Sequence, residues 1–403
     1  MAISDKMATL AVHAGIRPHP ATGAIAPDIS MAVNYASRFG DIGFSAEGTV
    51  LDKVTYAYAR EWHPNGRQLE EKLAALEGGE DAAVFASGIG AISGLFFYLL
   101  SPGDHVVVSD ISYAGTAEFV RGILRKQGVT VDLVDMSDLE QVQRKVIPGK
   151  TRLVYAESPC NPVLRLADIA GLAAIAKSAG AKLAIDSTFA SPVITRPLAL
   201  GADYVVHSLT KYIGGHGDAL GGAVIGSRPD ITTLRQEIGT HLGAAISPFN
   251  AWLILRGIET LPIRMLAYSQ SALAVAEFLS TQKFVTHVRY PHLPSHPQYD
   301  LARRQMTMGS GMIAFTVEDQ QKFGKALEGA LRIFKYAASL GHSHSLVLHC
   351  DTQDLQRTTF QLDDAALRRY RDFAGDGFFR LSIGLEDADD LCLDLKRAIE
   401  AVA

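Results

Sequence analysis

The chain has little cysteine, no basic excess and no long apolar run at its start. Cys160, Cys350 and Cys392 are the only cysteines in 403 residues. They are odd in number and far apart, which argues against a disulfide framework and for a reducing, cytoplasmic setting. Lys and Arg total 38 against 43 Asp and Glu, a net charge of -5. That balance lacks the basic face that a nucleic-acid grip needs. The opening MAISDKMATL has no apolar core of signal-peptide length. Internal repeats and low-complexity segments are also missing. With 48% hydrophobic and 20% charged residues, the composition excludes long-range disorder, and the length allows two or three domains.

One uncharged stretch, residues 82–100, is long enough to imitate a membrane span. It holds Gly88, Gly90, Gly94, Ser87 and Ser93, and charged or turn-forming residues bound it. The pattern predicts a short strand, a glycine turn and a buried helix. No membrane partner is expected.

What is present is a β/α alternation. After a turn-rich start carrying Pro18, Pro20 and Pro27, a helical stretch QLEEKLAALEGG ends at Gly78-Gly79. The apolar runs AAVFA, HVVVSD, TVDLVD, RLVYAES, KLAID, DYVVHS and GGAVIG then read as strands, most of them separated by helical segments. Such strands imply a mostly parallel sheet covered on both faces, with ligands at the carboxyl ends of the strands. Beyond about residue 248 the pattern changes. Two helical segments interrupted at Pro262, a His- and Pro-rich turn region, the strand-like GMIAFTV, a helix, a polar irregular stretch, FFRLSIG and a closing helix predict a smaller α+β domain. The expected division is an arm at 1–62, a central domain at 63–250 and a C-terminal domain at 251–403.

The segment from Ser208 to His216 carries the most chemistry. Lys211 stands between two hydroxyls, Ser208 and Thr210, and a glycine cluster, at the end of a strand. A lysine so placed suits covalent attachment of a carbonyl cofactor, with hydroxyls available to a phosphate. On Lys211 alone, a solvated lysine at a strand end is the stronger reading. Asp186 ends the strand KLAID, where a carboxylate holds a pyridine nitrogen protonated, or simply caps a turn. Ser87-Gly88-Ile89 lies between a strand and a helix, where backbone N–H groups bind phosphate or merely form a tight turn.

These segments together resemble the Cys/Met-metabolism family of pyridoxal-phosphate (PLP) enzymes, which has the aspartate aminotransferase type I fold, class α/β. The family includes methionine γ-lyase, canavanine γ-lyase, cystathionine γ-synthase, cystathionine lyases and O-acetylhomoserine sulfhydrylase. The resemblance runs through Tyr58-Ala59-Arg60, Ser87-Gly88-Ile89, Asp110 to Thr116, Glu157 to Pro162, Asp186 to Phe189, the Lys211 segment, Ser247-Pro248-Phe249, Leu255 to Leu261 and Phe379 to Gly384, in the family's order. It implies that Lys211 carries the cofactor and shuttles protons, that Asp186 pairs with the pyridine nitrogen, and that Tyr113 stacks on the ring and helps protonate the leaving group. Asn161 would contact the ring hydroxyl. Ser87, Gly88, Ile89, Ser208 and Thr210 would hold the phosphate. Tyr58 and Arg60 would reach the phosphate of a neighbouring subunit, making the enzyme a homo-oligomer with shared sites, usually a tetramer. Arg380, assisted by backbone near Ser339, would clamp the substrate carboxylate. The implied reaction is γ-elimination or γ-replacement on a γ-substituted amino acid.

Departures from the family pattern cluster where the distal part of the substrate belongs. The family's Tyr-x-Arg-x-x-Asn-Pro-Thr becomes Tyr58-Ala59-Arg60-Glu61-Trp62-His63-Pro64-Asn65, adding an acid, an indole and an imidazole. Gly115 stands where methionine γ-lyases carry a cysteine. Ser339-Leu340-Gly341 continues as His342-Ser343-His344, and HCDTQDLQRTTF replaces a segment the family usually keeps. Glu61 beside an aromatic residue is expected to receive a cationic leaving group such as the guanidinium of canavanine, by charge and stacking. The alternative is that Glu61 pairs with Arg60 or a surface cation. Methionine γ-lyase, cystathionine γ-synthase and O-acetylhomoserine sulfhydrylase activities remain open. No metal is expected at His342, His344 and His349, because no nearby acid or cysteine completes a ligand set with convincing spacing. A nicotinamide-dependent dehydrogenase is the rival class, since Gly88-Ile89-Gly90 opens a helix after a strand. It leaves Lys211, Asp186 and Arg380 without a role.

Overall fold

The computed structural model describes residues 4–44 and 56–402. Its strands are β1 Asp81–Phe85, β2 His105–Ser109, β3 Thr130–Val134, β4 Thr151–Glu157, β5 Lys182–Asp186, β6 Tyr204–Ser208, β7 Gly222–Gly226, β8 Val285–Arg289, β9 Met312–Val317, β10 Lys335–Tyr336, β11 Leu346–Asp351 and β12 Gly377–Ser382. Two compact units form: one from the chain up to Leu100 with Arg196–Pro262, the other from Ser101–Thr195 with the chain after Ile263.

In the first unit the strands lie in the order β1-β7-β6, and β7 runs antiparallel to both neighbours. The segment between β6 and β7 is made of turns and carries no helix. A parallel return needs a crossover, usually helical, so β7 is the exception to the expected parallel order. The helix Pro64–Glu77 buries Leu69, Leu73 and Leu76 completely and ends at Gly78, in the left-handed conformation. The uncharged stretch resolves as expected into β1 and the helix Gly88–Leu99.

In the second unit β5, β4, β2 and β3 are neighbours in that order, and each pair is parallel. Their Val, Leu, Ile and Ala side chains are almost all fully buried. A separate five-stranded sheet has the order β10-β11-β12-β9-β8. Its core holds Phe315, Phe323 and Phe379 in mutual ring contact, with helix Leu261–Ser280 and helix Ala388–Glu400 contributing further apolar side chains.

The polar stretch expected to be irregular is ordered. It contains β11, a helical turn at Thr352–Leu355 widening through Gln356–Phe360, and a helix at Asp364–Ala374. The side chains of Asp351 and Asp363 cap these helices by accepting the N–H of Asp354 and Ala366, each at 2.8 Å. The short apolar run Leu346–Leu348 is masked in sequence by the Ser and His residues around it. No helix among the described residues is long and apolar enough to cross a membrane.

Candidate active site

In the first unit, Ser87 is the N-cap of the helix Gly88–Leu99. Its Oγ accepts the N–H of Gly90 at 3.1 Å. The N–H groups of Gly88 and Ile89 therefore open the helix, where the backbone dipoles favour an anion. A Cβ on Gly88 would lie 2.8 Å from Cβ and 3.0 Å from Oγ of Ser208. Only glycine lets this helix end approach the carboxyl end of β6 so closely. Thr210 Oγ1 accepts the N–H of Gly221 at 3.1 Å, which ties the Lys211 loop to the start of β7. The backbone N–H of Lys211 donates to the carbonyl of Ser208 at 3.2 Å, and its carbonyl accepts from Gly215 at 2.7 Å. The helix N-terminus, Ser208, Thr210 and the Lys211 backbone thus belong to one local assembly suited to a phosphate.

Tyr58 and Arg60 stand together. The Arg60 guanidinium lies 5.5 Å from the centre of the Tyr58 ring and donates to the carbonyl of Thr240. The three residues that follow have separate fates. The Trp62 indole is already engaged by two guanidiniums of its own chain, Arg67 at 5.1 Å and Arg235 at 5.0 Å from the ring centre, and its Nε1–H donates to Glu70 at 2.8 Å. Those arginines also bind Asp81, at 2.9 and 3.1 Å. Trp62 is therefore a keystone of a charged cluster, which corrects the expectation that it stacks on a leaving group. His63 caps the helix Pro64–Glu77: Nδ1 accepts from Gly66 at 3.0 Å and Nε2–H donates to the Ile246 carbonyl at 3.1 Å. Burial lowers its pKa, and with one nitrogen accepting and one donating the ring is held neutral. Glu61 is half-buried, and among the described residues its carboxylate has no ion pair. Pairing with Arg60 or with another described cation is thus not observed.

The second unit gathers the remaining candidates at the ends of β4, β5 and β12. Asp186 closes β5, 8% exposed. Its Oδ1 accepts the N–H of Thr188 at 2.9 Å and its Oδ2 accepts the Tyr155 hydroxyl at 3.3 Å. Burial and the charge of Asp186 raise the Tyr155 pKa, so the phenol stays a donor. Glu157 closes β4 in register with Asp186. Its oxygens accept the N–H of Tyr113 at 2.7 Å and of Asn161 at 3.2 Å. Burial first and the Asp186 charge second push the Glu157 carboxyl well above the usual carboxylate range. The pair therefore tends to carry its negative charge on one member. Glu157 was assigned no role from sequence. The signal was available, because an acid ends the apolar run RLVYAES one residue before Ser158-Pro159.

Tyr113 is 45% exposed and its ring rests against Gly115. A Cβ on Gly115 would lie 2.6 Å from Tyr113 Cε1. Asn161 is flanked by cis bonds before Pro159 and Pro162. Its Oδ1 accepts from Arg380 Nη1 at 2.6 Å, and Arg380 Nη2 donates to the carbonyl of Ser339 at 3.2 Å. Arg380 lies on β12 and is 7% exposed. A guanidinium buried to this degree and oriented by such acceptors has the geometry that a carboxylate needs. His342 Nε2 is 3.3 Å from Ser339 Oγ, His344 Nδ1 is 3.2 Å from Ser343 Oγ, and His349 Nε2 is 3.0 Å from Gln320 Oε1. No group of three or more metal-ligating side chains occurs among the described residues.

Each unit thus holds a distinct set of chemical tools: a glycine-opened helix N-terminus with a lysine loop in the first, and a buried acid, a phenol and a buried guanidinium in the second. Residues 8–400 match the family model described as Cys/Met metabolism PLP-dependent enzyme. The chain is 39% identical to an L-methionine γ-lyase of Pseudomonas putida, over 98% of each protein. It is 41% identical to a canavanine γ-lyase of Pseudomonas canavaninivorans, over 98% of this chain and 96% of that one. Among solved structures, cystathionine γ-lyase from Lactobacillus plantarum complexed with L-serine superposes with a TM-score of 0.88. That structure is 32% identical to this chain and covers 98% of it and 99% of its own length.

Proposed function

Because the chain belongs to the Cys/Met metabolism PLP-dependent enzymes, an α/β type I fold, we propose that it is a γ-lyase for an amino acid with a polar, cationic leaving group such as canavanine. Its cofactor is pyridoxal 5'-phosphate and its reaction is of the γ-lyase or γ-synthase kind. The observation that carries the finer reading is Glu61. It shares a turn with Tyr58 and Arg60, with its N–H bonded to the Tyr58 carbonyl at 3.0 Å, and it is a half-buried acid with no ion pair among the described residues. An acid in that state suits a guanidinium far better than a methylthio group. The 41% identical canavanine γ-lyase supports the same direction.

The residues present fit the cofactor. The helix end at Gly88 has no room for a Cβ beside the Ser208 hydroxyl, as a phosphate cradle requires. Asp186 is a buried acid that two donors already orient, as a partner for a protonated ring nitrogen requires. When bound, pyridoxal phosphate supplies an electron sink that acidifies the C–H bonds of an amino acid attached to it. In the proposed scheme Ser87, Gly88, Ile89, Ser208 and Thr210 hold the phosphate, Asn161 meets the ring hydroxyl, and Asp186 keeps the ring nitrogen protonated. Arg380, with the Ser339 carbonyl setting its plane, takes the α-carboxylate. The Lys211 amine removes the proton at Cα and moves protons at Cβ. The Tyr113 phenol gives its proton to the departing γ-atom. Addition of water then leaves a 2-oxo acid and ammonia.

Tyr58 and Arg60 serve the phosphate of a second copy, so the working form is a homo-oligomer, a tetramer, with residues 1–62 as the arm. In support, Phe39 and Phe44 are wholly exposed and Ile25 and Met31 largely so in the single chain, a surface that calls for a cover. Turnover of purified enzyme on canavanine, methionine, cystathionine and O-acetylhomoserine, with products identified, tests the proposal. Strong turnover of a thioether with none of canavanine refutes it.

A further inference from the structure

The turn between β10 and β11 carries Ser339 at a φ of +85°. A residue with a Cβ stays in that left-handed region only when its surroundings hold it there. Ser339 is held through both its main chain and its side chain. Its carbonyl accepts from Arg380 Nη2 at 3.2 Å, and its Oγ lies 3.3 Å from His342 Nε2. A further contact ties the same turn to the same strand, for the N–H of Gly341 donates to Ser382 Oγ at 3.0 Å. Ser382 lies two residues beyond Arg380 on β12, on the same face.

We infer that His342 is a positioning residue for the substrate carboxylate, acting through Ser339. The inference rests on the reading of Arg380 as the carboxylate clamp. Asn161 Oδ1 and the Ser339 carbonyl are among the acceptors that set the guanidinium plane of Arg380. A carbonyl can set that plane only while its own peptide is fixed. The imidazole of His342 holds the Ser339 side chain, which opposes relaxation of Ser339 to an ordinary negative φ. Such a relaxation turns the carbonyl away from Nη2 and frees Arg380 to rotate. Arg380 meets the carboxylate equally in the bound substrate and in the transition state. Loosening it weakens both alike, which raises KM and leaves kcat in place.

The test is a set of variants of the loaded enzyme. His342→Ala raises KM for every accepted amino acid by about fivefold, the size of one net hydrogen bond, with kcat within about twofold and the cofactor absorbance unchanged. His342→Asn, whose amide donates to the same hydroxyl, recovers most of the loss. Ser339→Ala matches His342→Ala, and the double variant is no worse than either, because both remove one interaction. An unchanged KM in His342→Ala while Arg380→Ala raises KM overturns the inference alone, as does additivity in the double variant. An unchanged KM in Arg380→Ala overturns the carboxylate-clamp reading beneath it. A crystal structure of His342→Ala with Ser339 still at positive φ and bonded to Arg380 also overturns it, whatever the variant's stability.

Discussion

Gly115→Ala separates catalysis from stability more cleanly than any other single change at this site. The alanine Cβ would sit 2.6 Å from Tyr113 Cε1, 3.1 Å from Cζ and 3.3 Å from Cδ1. Ordinary carbon contact begins near 3.5 Å, so the ring must retreat by about 1 Å. It has room to do so, because the side chain is 45% exposed. The backbone cannot follow, because the Tyr113 N–H is held by Glu157 at 2.7 Å. The adjustment is therefore a rotation of the side chain that carries the phenol off its place. If Tyr113 meets the leaving atom as proposed, a shift of about 1 Å costs on the order of 100-fold in kcat. Folding is expected to respond in the opposite sense. Gly115 lies in the helix Ala114–Phe119 and is not at a positive φ, so alanine there gains about 0.5–1 kcal/mol of helix propensity. Steady-state kinetics with a melting curve on the same sample reads both effects. Tyr113→Phe adds a control: combined with Gly115→Ala it should lose little more than either alone, since both displace one phenol. An unchanged kcat in Gly115→Ala, or a crystal structure with the ring unmoved, refutes the reasoning.

Three further outcomes are expected. Glu61→Gln keeps the shape and loses the charge, so it should raise KM for canavanine about tenfold and leave KM for methionine within about twofold; equal effects on both substrates exclude Glu61 as the guanidinium partner. Arg235→Ala leaves Glu70 and Asp81 buried without one of their cations. It should cost about 3–5 kcal/mol in urea denaturation, whereas a loss under about 1 kcal/mol would show the cluster to be ornamental. His296 is buried, and burial lowers its pKa from 6.5 to about 4. The unfolded chain therefore binds this proton at a pH where the native state does not, so the neutral ring's contribution is intact above pH 6.5 and is lost as the pH falls towards 4. The loss amounts to about 3 kcal/mol. His296→Gln should flatten the decline of stability between those pH values, and an unaltered slope would remove His296 from the account.

The chemistry of the core reaction was legible early because it depends on residue types at strand ends. A strand's apolar run ends where the chain meets solvent, and the acid, lysine or hydroxyl standing there is visible without knowing any neighbour. Asp186, Lys211 and Ser208 are proposed on that ground, and Ser87-Gly88 on the strand-to-helix punctuation. Glu157 satisfies the same rule. Trp62 is misleading for a related reason. An indole beside a functional turn looks like a substrate ligand, yet the partners that claim it, Arg67 and Arg235, include a residue about 170 positions downstream. The ordered stretch from Leu346 to Ala374 was hidden because its strand is six residues long and its caps are single aspartates.

By itself the sequence determined the β/α alternation, the family and the cofactor, because each is written in local periodicity or in residue types at particular positions. Only the tertiary structure decided which departures have a structural job. It assigned Trp62 to a charge cluster and His63 to a helix cap, left Glu61 as the acid of that turn with no ion pair among the described residues, and set the Tyr113 ring in the space that a side chain at Gly115 would fill. The physical reason is that hydrogen bonds, ion pairs and excluded volume depend on distance in space. Residues near in space can be far apart in the chain, and only the folded backbone fixes which of them meet.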